Sequence, residues 1–248
     1  MNIVLSGCCG RMGRQVAEAC GAQGLAVRFG VDLKADSGAS FPVYDSFSSR
    51  KAEEGDVVID FSLPSCLDGL LDFCVPSGTP LVIATTGYSQ EDEAKILKAS
   101  SRIAIFRSAN MSLGVHVLKL LAKKAASLLD GFDIEIVEKH HNQKLDAPSG
   151  TALMLFDAVR KADSVLITDR TPFHRKRDAR EIGISSVRGG TVPGEHEVGY
   201  YGRGEKILIT HSAQDRSIFA AGAVKAAFFL DGIRNRPGLY SMDDMIQL

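Results

Sequence analysis

The stretch Asn2-Ile3-Val4-Leu5-Ser6-Gly7-Cys8-Cys9-Gly10-Arg11-Met12-Gly13 decides the fold. It opens as a short apolar β-type run and passes through glycines spaced G-x-x-G-x-x-G. It then enters a helical pattern with Met12, Val16 and Cys20 on one face. Glycines at such a junction permit a tight turn and let main-chain N–H groups approach a pyrophosphate at a helix N-terminus. A glycine loop alone is a weak signal, but its surroundings strengthen it. Val27 to Asp32 reads as a second strand, and Asp32 follows Gly13 by nineteen residues. An acid that binds the ribose of a dinucleotide stands roughly 20 residues on. Asp32 favours a free 2′-hydroxyl, so NADH is expected to serve at least as well as NADPH. Lys34 is a candidate for a 2′-phosphate or a solvated surface lysine.

Working outward, residues 56–61, 80–84 and 103–106 read as further strands, with helices over 66–73 and 90–99. The strands are nearly continuous in apolar character, as expected when both faces are covered. Strand–helix alternation of this kind predicts an α/β fold with a doubly wound parallel (Rossmann) sheet. Ligands in such sheets sit beyond the carboxyl ends of the strands, where Thr85-Thr86-Gly87 and Ser108-Ala109-Asn110-Met111 fall.

The second half differs. Ser112 is expected to cap a helix through about Leu129, with Val117, Leu121 and Leu128 inward and Gly131 as its stop. A strand over 132–138, a polar segment over 140–149 and a helix over 150–161 follow. Residues 182–184, 197–200 and 207–210 read as strands, the last two joined at Gly202-Arg203-Gly204, so this region is expected to be largely antiparallel. A closing helix covers 218–230. A parallel half followed by an antiparallel half suggests two domains with a cleft between them, with hinges near Ser112 and Arg216.

Composition narrows the function. The 29 basic and 30 acidic residues leave a net charge of −1, which argues against a nucleic-acid partner. No apolar run approaches the roughly 20 residues needed to span a bilayer, and the start does not read as a signal peptide. The five cysteines show no C-x-x-C spacing, so all are read as small buried apolar residues in a reducing, cytoplasmic setting, with no metal site.

The densest chemistry lies in Glu138-Lys139-His140-His141-Asn142-Gln143-Lys144-Leu145-Asp146-Ala147-Pro148-Ser149-Gly150-Thr151-Ala152. Ser149 is a good N-cap, leaving the N–H groups of Gly150 and Thr151 ready for an anion such as a carboxylate. Lys144 adds a full positive charge there, and a neighbouring histidine can move protons near neutral pH. Adjacent histidines point apart and no third ligand stands at i+4, so zinc is not expected here. His116 reads as structural, and His196 as an ordinary histidine among Glu195 and Glu197. Arg188 and Arg216 read equally as substrate or interdomain contacts or as surface ion pairs.

The run His140-His141-x-x-Lys144-x-Asp146-Ala147-Pro148-Ser149-Gly150-Thr151-Ala152 resembles the signature of the 4-hydroxy-tetrahydrodipicolinate (dihydrodipicolinate) reductases of lysine and diaminopimelate synthesis. The resemblance covers nearly the whole chain, from the Gly7–Gly13 loop through Thr85-Thr86-Gly87, Arg188-Gly189 and Gly194-Glu195-His196 to Gly222-Ala223. It implies a dinucleotide-binding domain over 1–111 completed by 217–248. It also implies a mixed α/β domain over 112–216 for substrate binding and oligomerisation, and a cytoplasmic homotetramer. It implies NADH or NADPH as cofactor and a small dicarboxylate as substrate. By position, His140 and Lys144 would be catalytic, and His141, Gly150 and Thr151 would bind substrate. Gly7, Cys8, Cys9, Gly10, Arg11, Met12 and Asp32 would hold the pyrophosphate and adenosine ribose. Ala84, Thr85, Thr86, Ser108, Ala109, Asn110 and Met111 would hold the nicotinamide end. The chain departs from the pattern where Cys8-Cys9 replaces a usual small pair, where Ala84 replaces a glycine, where Ser108-Ala109 replaces Ala-Pro, and at Leu33 and Met111. Two alternatives remain open at this point: another nicotinamide-dependent oxidoreductase of a small carboxylate, and a non-catalytic dinucleotide sensor.

Overall fold

A computed structural model describes residues 1–33, 38–48, 50–53, 55–169 and 174–246; Lys34 and the start of the basic stretch 170–180 lie outside them. In chain order the first elements are β1 (Asn2–Ser6), α1 (Arg11–Ala22), β2 (Val27–Val31), β3 (Val43–Tyr44), β4 (Asp56–Asp60), α2 (Leu67–Ser77), β5 (Leu81–Ile83), α3 (Gln90–Ser100) and β6 (Ala104–Arg107). Then come α4 (Leu113–Leu128), β7 (Asp133–His140), α5 (Gly150–Val159), β8 (Val165–Ile167), β9 (Glu181–Arg188), β10 (Gly194–Tyr201) and β11 (Lys206–Ala213). The chain closes with α6 (Ser217–Gly232), β12 (Gly238–Tyr240) and α7 (Met242–Met245). It divides into two compact units, Met1–Ser112 with Arg216–Leu248, and Leu113–Asp215.

The first unit is a parallel sheet in the order β12-β6-β5-β4-β1-β2-β3. Side chains alternate across it, which explains the unbroken apolar runs. Ile3, Leu5, Val57, Ile59 and Val82 join the core layer that holds Val16 and Cys20 of α1 and the alanine-rich face of α6. Val4, Val58, Leu81 and Ile83 join the opposite layer, with Leu70, Phe73 and Cys74 of α2 and Ile96 of α3. Both layers are buried, so neither register of these strands has a polar face to offer solvent. The strand order reverses between β1 and β4, the point at which doubly wound sheets open a crevice at their carboxyl ends.

The second unit is a sheet in the order β11-β10-β7-β9-β8, covered by α4 and α5. It is mixed: β10 runs antiparallel to β11 and β7, whereas β9 runs parallel to β7 and β8. The expectation of a largely antiparallel sheet therefore holds only for its β10 half. β9 returns parallel to β7 after the α5–β8 crossover, which periodicity within one strand does not reveal. The strands are also longer than their apolar cores suggest, and β7 carries on to include His140.

On α4 the buried positions are Val115, His116, Leu118 and Ala122. The expected inward stripe is corrected: Leu121 and Leu128 are exposed and Val117 is half-buried. Both stripes have helical spacing. The sheet selects the one with Ala122, whose small side chain lets Tyr200 donate its hydroxyl to the Ala122 carbonyl at 2.6 Å.

Candidate active site

The glycine loop sits at the carboxyl end of β1, beside the switch point. Gly7 has φ +75°, and a Cβ there would run into the Phe61 carbonyl. A Cβ on Gly13 would collide with the Gly7 carbonyl and the Cys8 main chain, so this glycine lets α1 press against the loop. Gly10 is the N-cap of α1, with no side-chain cap and no acidic residue in the first turn. The first N–H groups of that helix therefore have no intrahelical acceptor and sit at its positive end, a suitable seat for a pyrophosphate.

A cavity of about 360 Å³ opens here, lined by Gly7, Gly10, Asp32, Leu33, Phe61 and Ser62 among others. Asp32 accepts the Cys9 N–H at 2.9 Å, which ties the acid after β2 to the loop. The side chains of Cys8 and Cys9 face each other with 3.7 Å between sulfurs. Burial, with Cys9 and Asp32 alongside, pushes the Cys8 thiol up to about 12. At the end of β4, Asp60 is fully buried and accepts the Ser62 hydroxyl at 2.5 Å; burial raises its carboxyl above the usual range.

The loops after β5 and β6 also lie at this edge. Thr85 is buried and Thr86 exposed. Ser108 Oγ donates to the Asn110 carbonyl at 2.7 Å, and Asn110 Oδ1 accepts the Ser112 N–H at 2.9 Å. Met111 is buried in the α1–α6 core layer, so its side chain packs the fold and only its main chain remains for a ligand. Cys8 is likewise buried in that layer.

In the second unit, three strand ends converge. His140 ends β7, and Glu138 lies two residues earlier on the same face. Register sets His140 against Arg188 of β9, and Glu138 against His196 of β10. Glu138 is fully buried. Its carboxylate accepts Arg188 Nη1 at 2.8 Å and Nη2 at 2.7 Å, lies 2.5 Å from His140 Nδ1, and accepts the Ser149 N–H at 3.2 Å. Burial alone would raise this carboxyl, but hydrogen bonds from Arg188, Ser186 and His140 outweigh it and hold it at about 2. The ionised carboxylate therefore accepts a hydrogen bond from the Nδ1–H of a neutral His140, which leaves Nε2 as the acceptor nitrogen. Burial lowers the His140 imidazole; Glu138 opposes the shift, while Lys144 and Arg188 add to it. A Cβ on Gly194 would stand 3.1 Å from His140 Nε2, so a glycine here keeps that nitrogen accessible.

His196 is buried, with its ring centroid 5.2 Å from that of His140 and its Nε2 3.1 Å from Ser149 Oγ. Burial and the neighbouring His140 pull its imidazole down to about 4. Ser149 caps α5 by accepting the Ala152 N–H at 3.2 Å. Gly150 and Thr151 open that helix, at the positive end of its dipole. Lys144 Nζ lies 2.7 Å from Asp146 Oδ1, and its N–H donates to the His141 carbonyl at 3.2 Å.

Residues 1–111 match the family described as dihydrodipicolinate reductase, N-terminus, and residues 114–246 match dihydrodipicolinate reductase, C-terminus. The chain belongs to the dihydrodipicolinate reductase family. A 4-hydroxy-tetrahydrodipicolinate reductase of Caldanaerobacter subterraneus subsp. tengcongensis is 47% identical, over 100% of this chain and 98% of its own length. One from Clostridium novyi is 42% identical, over 99% and 98%. Among solved structures, the dipicolinate-bound dihydrodipicolinate reductase of Paenisporosarcina sp. TG-14 superposes with a TM-score of 0.78 at 20% identity, covering 99% of each chain. A probable dehydrogenase of Thermotoga maritima gives 0.61 at 11%, over 99% of this chain and 92% of its own. At these identities the two structures speak for the fold alone.

Within this reductase fold, the expected site residues form two groups, one in each unit. Gly7, Cys8, Cys9, Gly10, Arg11, Met12 and Asp32, with the loops at 84–86 and 108–111, share the carboxyl edge of the parallel sheet. His140, His141, Lys144, Gly150 and Thr151 share the β7–α5 connection. Sequence reasoning gave no role to Glu138 and passed over His196. The i, i+2 spacing of Glu138 and His140 on a strand was a usable signal; the approach of His196 depends on pairing across 58 residues of sequence and left none. Arg188 is the bidentate partner of Glu138, whose carboxylate is fully buried, so this ion pair is not a surface one.

Proposed function

We propose that this reductase converts 4-hydroxy-tetrahydrodipicolinate to tetrahydrodipicolinate with loss of water, using NADH or NADPH, as a step of lysine and diaminopimelate synthesis. The observation that carries the reading is the buried Glu138–His140 pair set beside Lys144 and the start of α5. The balance is one hydride and one proton in, one water out. The Gly7–Met12 loop and Asp32 hold the dinucleotide, and the 84–86 and 108–111 loops hold its nicotinamide end; when bound, it supplies the hydride.

This chain's residues do the rest. The N–H groups of Gly150 and Thr151 hold one substrate carboxylate at the positive end of α5. Lys144 leaves Asp146 for the same carboxylate and delivers the proton to the ring carbon beside the one reduced. His140, neutral and oriented by Glu138, accepts a hydrogen bond at Nε2, and His141 adds a further polar contact. The lowered His140 imidazole supports Lys144 as the proton donor. We place the protein in the cytoplasm as a homotetramer. The absence of disulfide spacing supports the first, and the exposed Ile207 and Leu208 on edge strand β11 support the second.

The test compares Lys144→Ala with His140→Ala in substrate-dependent NADH oxidation. Loss of a general acid lowers kcat by about 10²–10⁴-fold. Lys144→Ala is expected in that range, and pyridine-2,6-dicarboxylate is expected to inhibit the parent enzyme. Near-normal kcat in Lys144→Ala would overturn the assignment.

A further inference from the structure

The reductase chemistry makes no use of the thiols of Cys8 and Cys9. Their sulfurs lie 3.7 Å apart. Asp32 reaches the same point, with its carboxylate on the Cys9 N–H. Taking one ligand atom from each, the three groups lie within 4.8 Å of one another, the one such cluster of three among the described residues. A tetrahedral zinc ion with Zn–S bonds of about 2.3 Å fixes a sulfur–sulfur edge of about 3.8 Å. The pair already has that spacing. Gly30 helps to set it, because any Cβ at that position would overlap the Cys8 sulfur. The sequence expectation of small buried apolar cysteines accounts for Cys8. It does not account for Cys9, which is half-buried with its thiol turned toward a second thiol and a carboxylate.

We propose that Cys8, Cys9 and Asp32 form a three-ligand site for Zn(II), with water in the fourth position, and that the bound ion competes with the dinucleotide. Two thiolates and a carboxylate suit this borderline-soft cation, whereas magnesium and calcium prefer oxygen ligands alone. Binding forms two Zn–S bonds and one Zn–O bond, releases two thiol protons to solvent and displaces hydration water; no electron changes hands. The competition rests on the reading above that this loop and Asp32 hold the cofactor. An ion here occupies the acid assigned to the ribose and the loop assigned to the pyrophosphate.

The test is an anaerobic titration of the full-length protein with cadmium as the spectroscopic stand-in, followed through its thiolate-to-metal ultraviolet band. Zinc binding is then measured by equilibrium dialysis. One ion per chain is expected, with the band intensity of two thiolates. Cys9→Ser is expected to weaken binding by at least about 100-fold, and Asp32→Asn by about 10-fold or more. Cys66→Ser is the control and is expected to keep parent affinity. Unchanged affinity in Cys9→Ser, or a band lost in Cys66→Ser, overturns the site. NADH is expected to raise the apparent dissociation constant of the ion in proportion to its concentration. NADH binding to the metal-free protein is read separately by its fluorescence. If it binds and leaves the metal affinity unchanged, the competition is overturned. If it does not bind at all, the cofactor reading fails while the titration still judges the metal site.

Discussion

Glu138→Gln probes the centre of the second unit. The wild-type carboxylate is fully buried and accepts two bonds from Arg188, one from the Ser149 main chain and one from His140 Nδ1. The substitution keeps the shape and removes the charge. Truncating one partner of a buried ion pair costs about 3–5 kcal/mol, because the other partner is left uncompensated. The carboxyl is held at about 2 against an ordinary value of 4.5, and such a shift is worth about 3 kcal/mol at neutral pH. Because the folded-state value is depressed, that stability is present above about pH 4.5 and is lost as pH falls through 2. For a chain of this length the loss lowers Tm by roughly 6–12 °C at neutral pH, read by calorimetry. The difference between parent and variant should shrink below pH 4.5 and vanish near pH 2. In kinetics, the amide no longer fixes the His140 tautomer, so kcat should fall by about 10²-fold with a smaller change in KM. A variant with parent Tm at pH 7 and kcat within about twofold would refute the reasoning, since neither the ion pair nor the tautomer would then matter.

Further outcomes follow from the same structure. His196 titrates near 4 in the fold against 6.5 unfolded, so its contribution is full above pH 6.5 and is lost as pH falls toward 4; His196→Gln should flatten denaturant midpoints across that window, and an unchanged slope would count against it. Gly13→Val forces a side chain into the Gly7 carbonyl; overpacking of this kind costs about 1–3 kcal/mol, and NADH affinity should fall with Tm, so that no change in either contradicts the packing role. Asp32→Ser removes the negative charge from the ribose end of the cavity, and the NADPH-to-NADH ratio of kcat/KM should rise at least about tenfold, since a charge pair near a surface is worth about 1–4 kcal/mol; a constant ratio would detach Asp32 from cofactor choice.

The first unit was the more legible half. Its strands are covered on both faces, so Ile3-Val4-Leu5 and Val57-Val58-Ile59 stand out as apolar runs, and the glycines answer to local geometry. The short strands β3, β8 and β12 went unread, because two or three residues carry no period. The α4 face was misjudged for a different reason. A stripe through Leu121 and one through Ala122 are both helical, and only the packed sheet chooses between them. In the site, residues that serve one helix start, Ser149 to Thr151, were visible as a contiguous pattern. Glu138, Arg188 and His196 come from three strands, and their meeting is a matter of register, which a single chain read in order does not display.

The most direct measurement is NADH oxidation by the purified protein with 4-hydroxy-tetrahydrodipicolinate generated in place from its precursors. The account predicts rapid oxidation that depends on this substrate and ceases when its supply is removed. No oxidation with either NADH or NADPH, from a folded protein that binds dinucleotide, would contradict it.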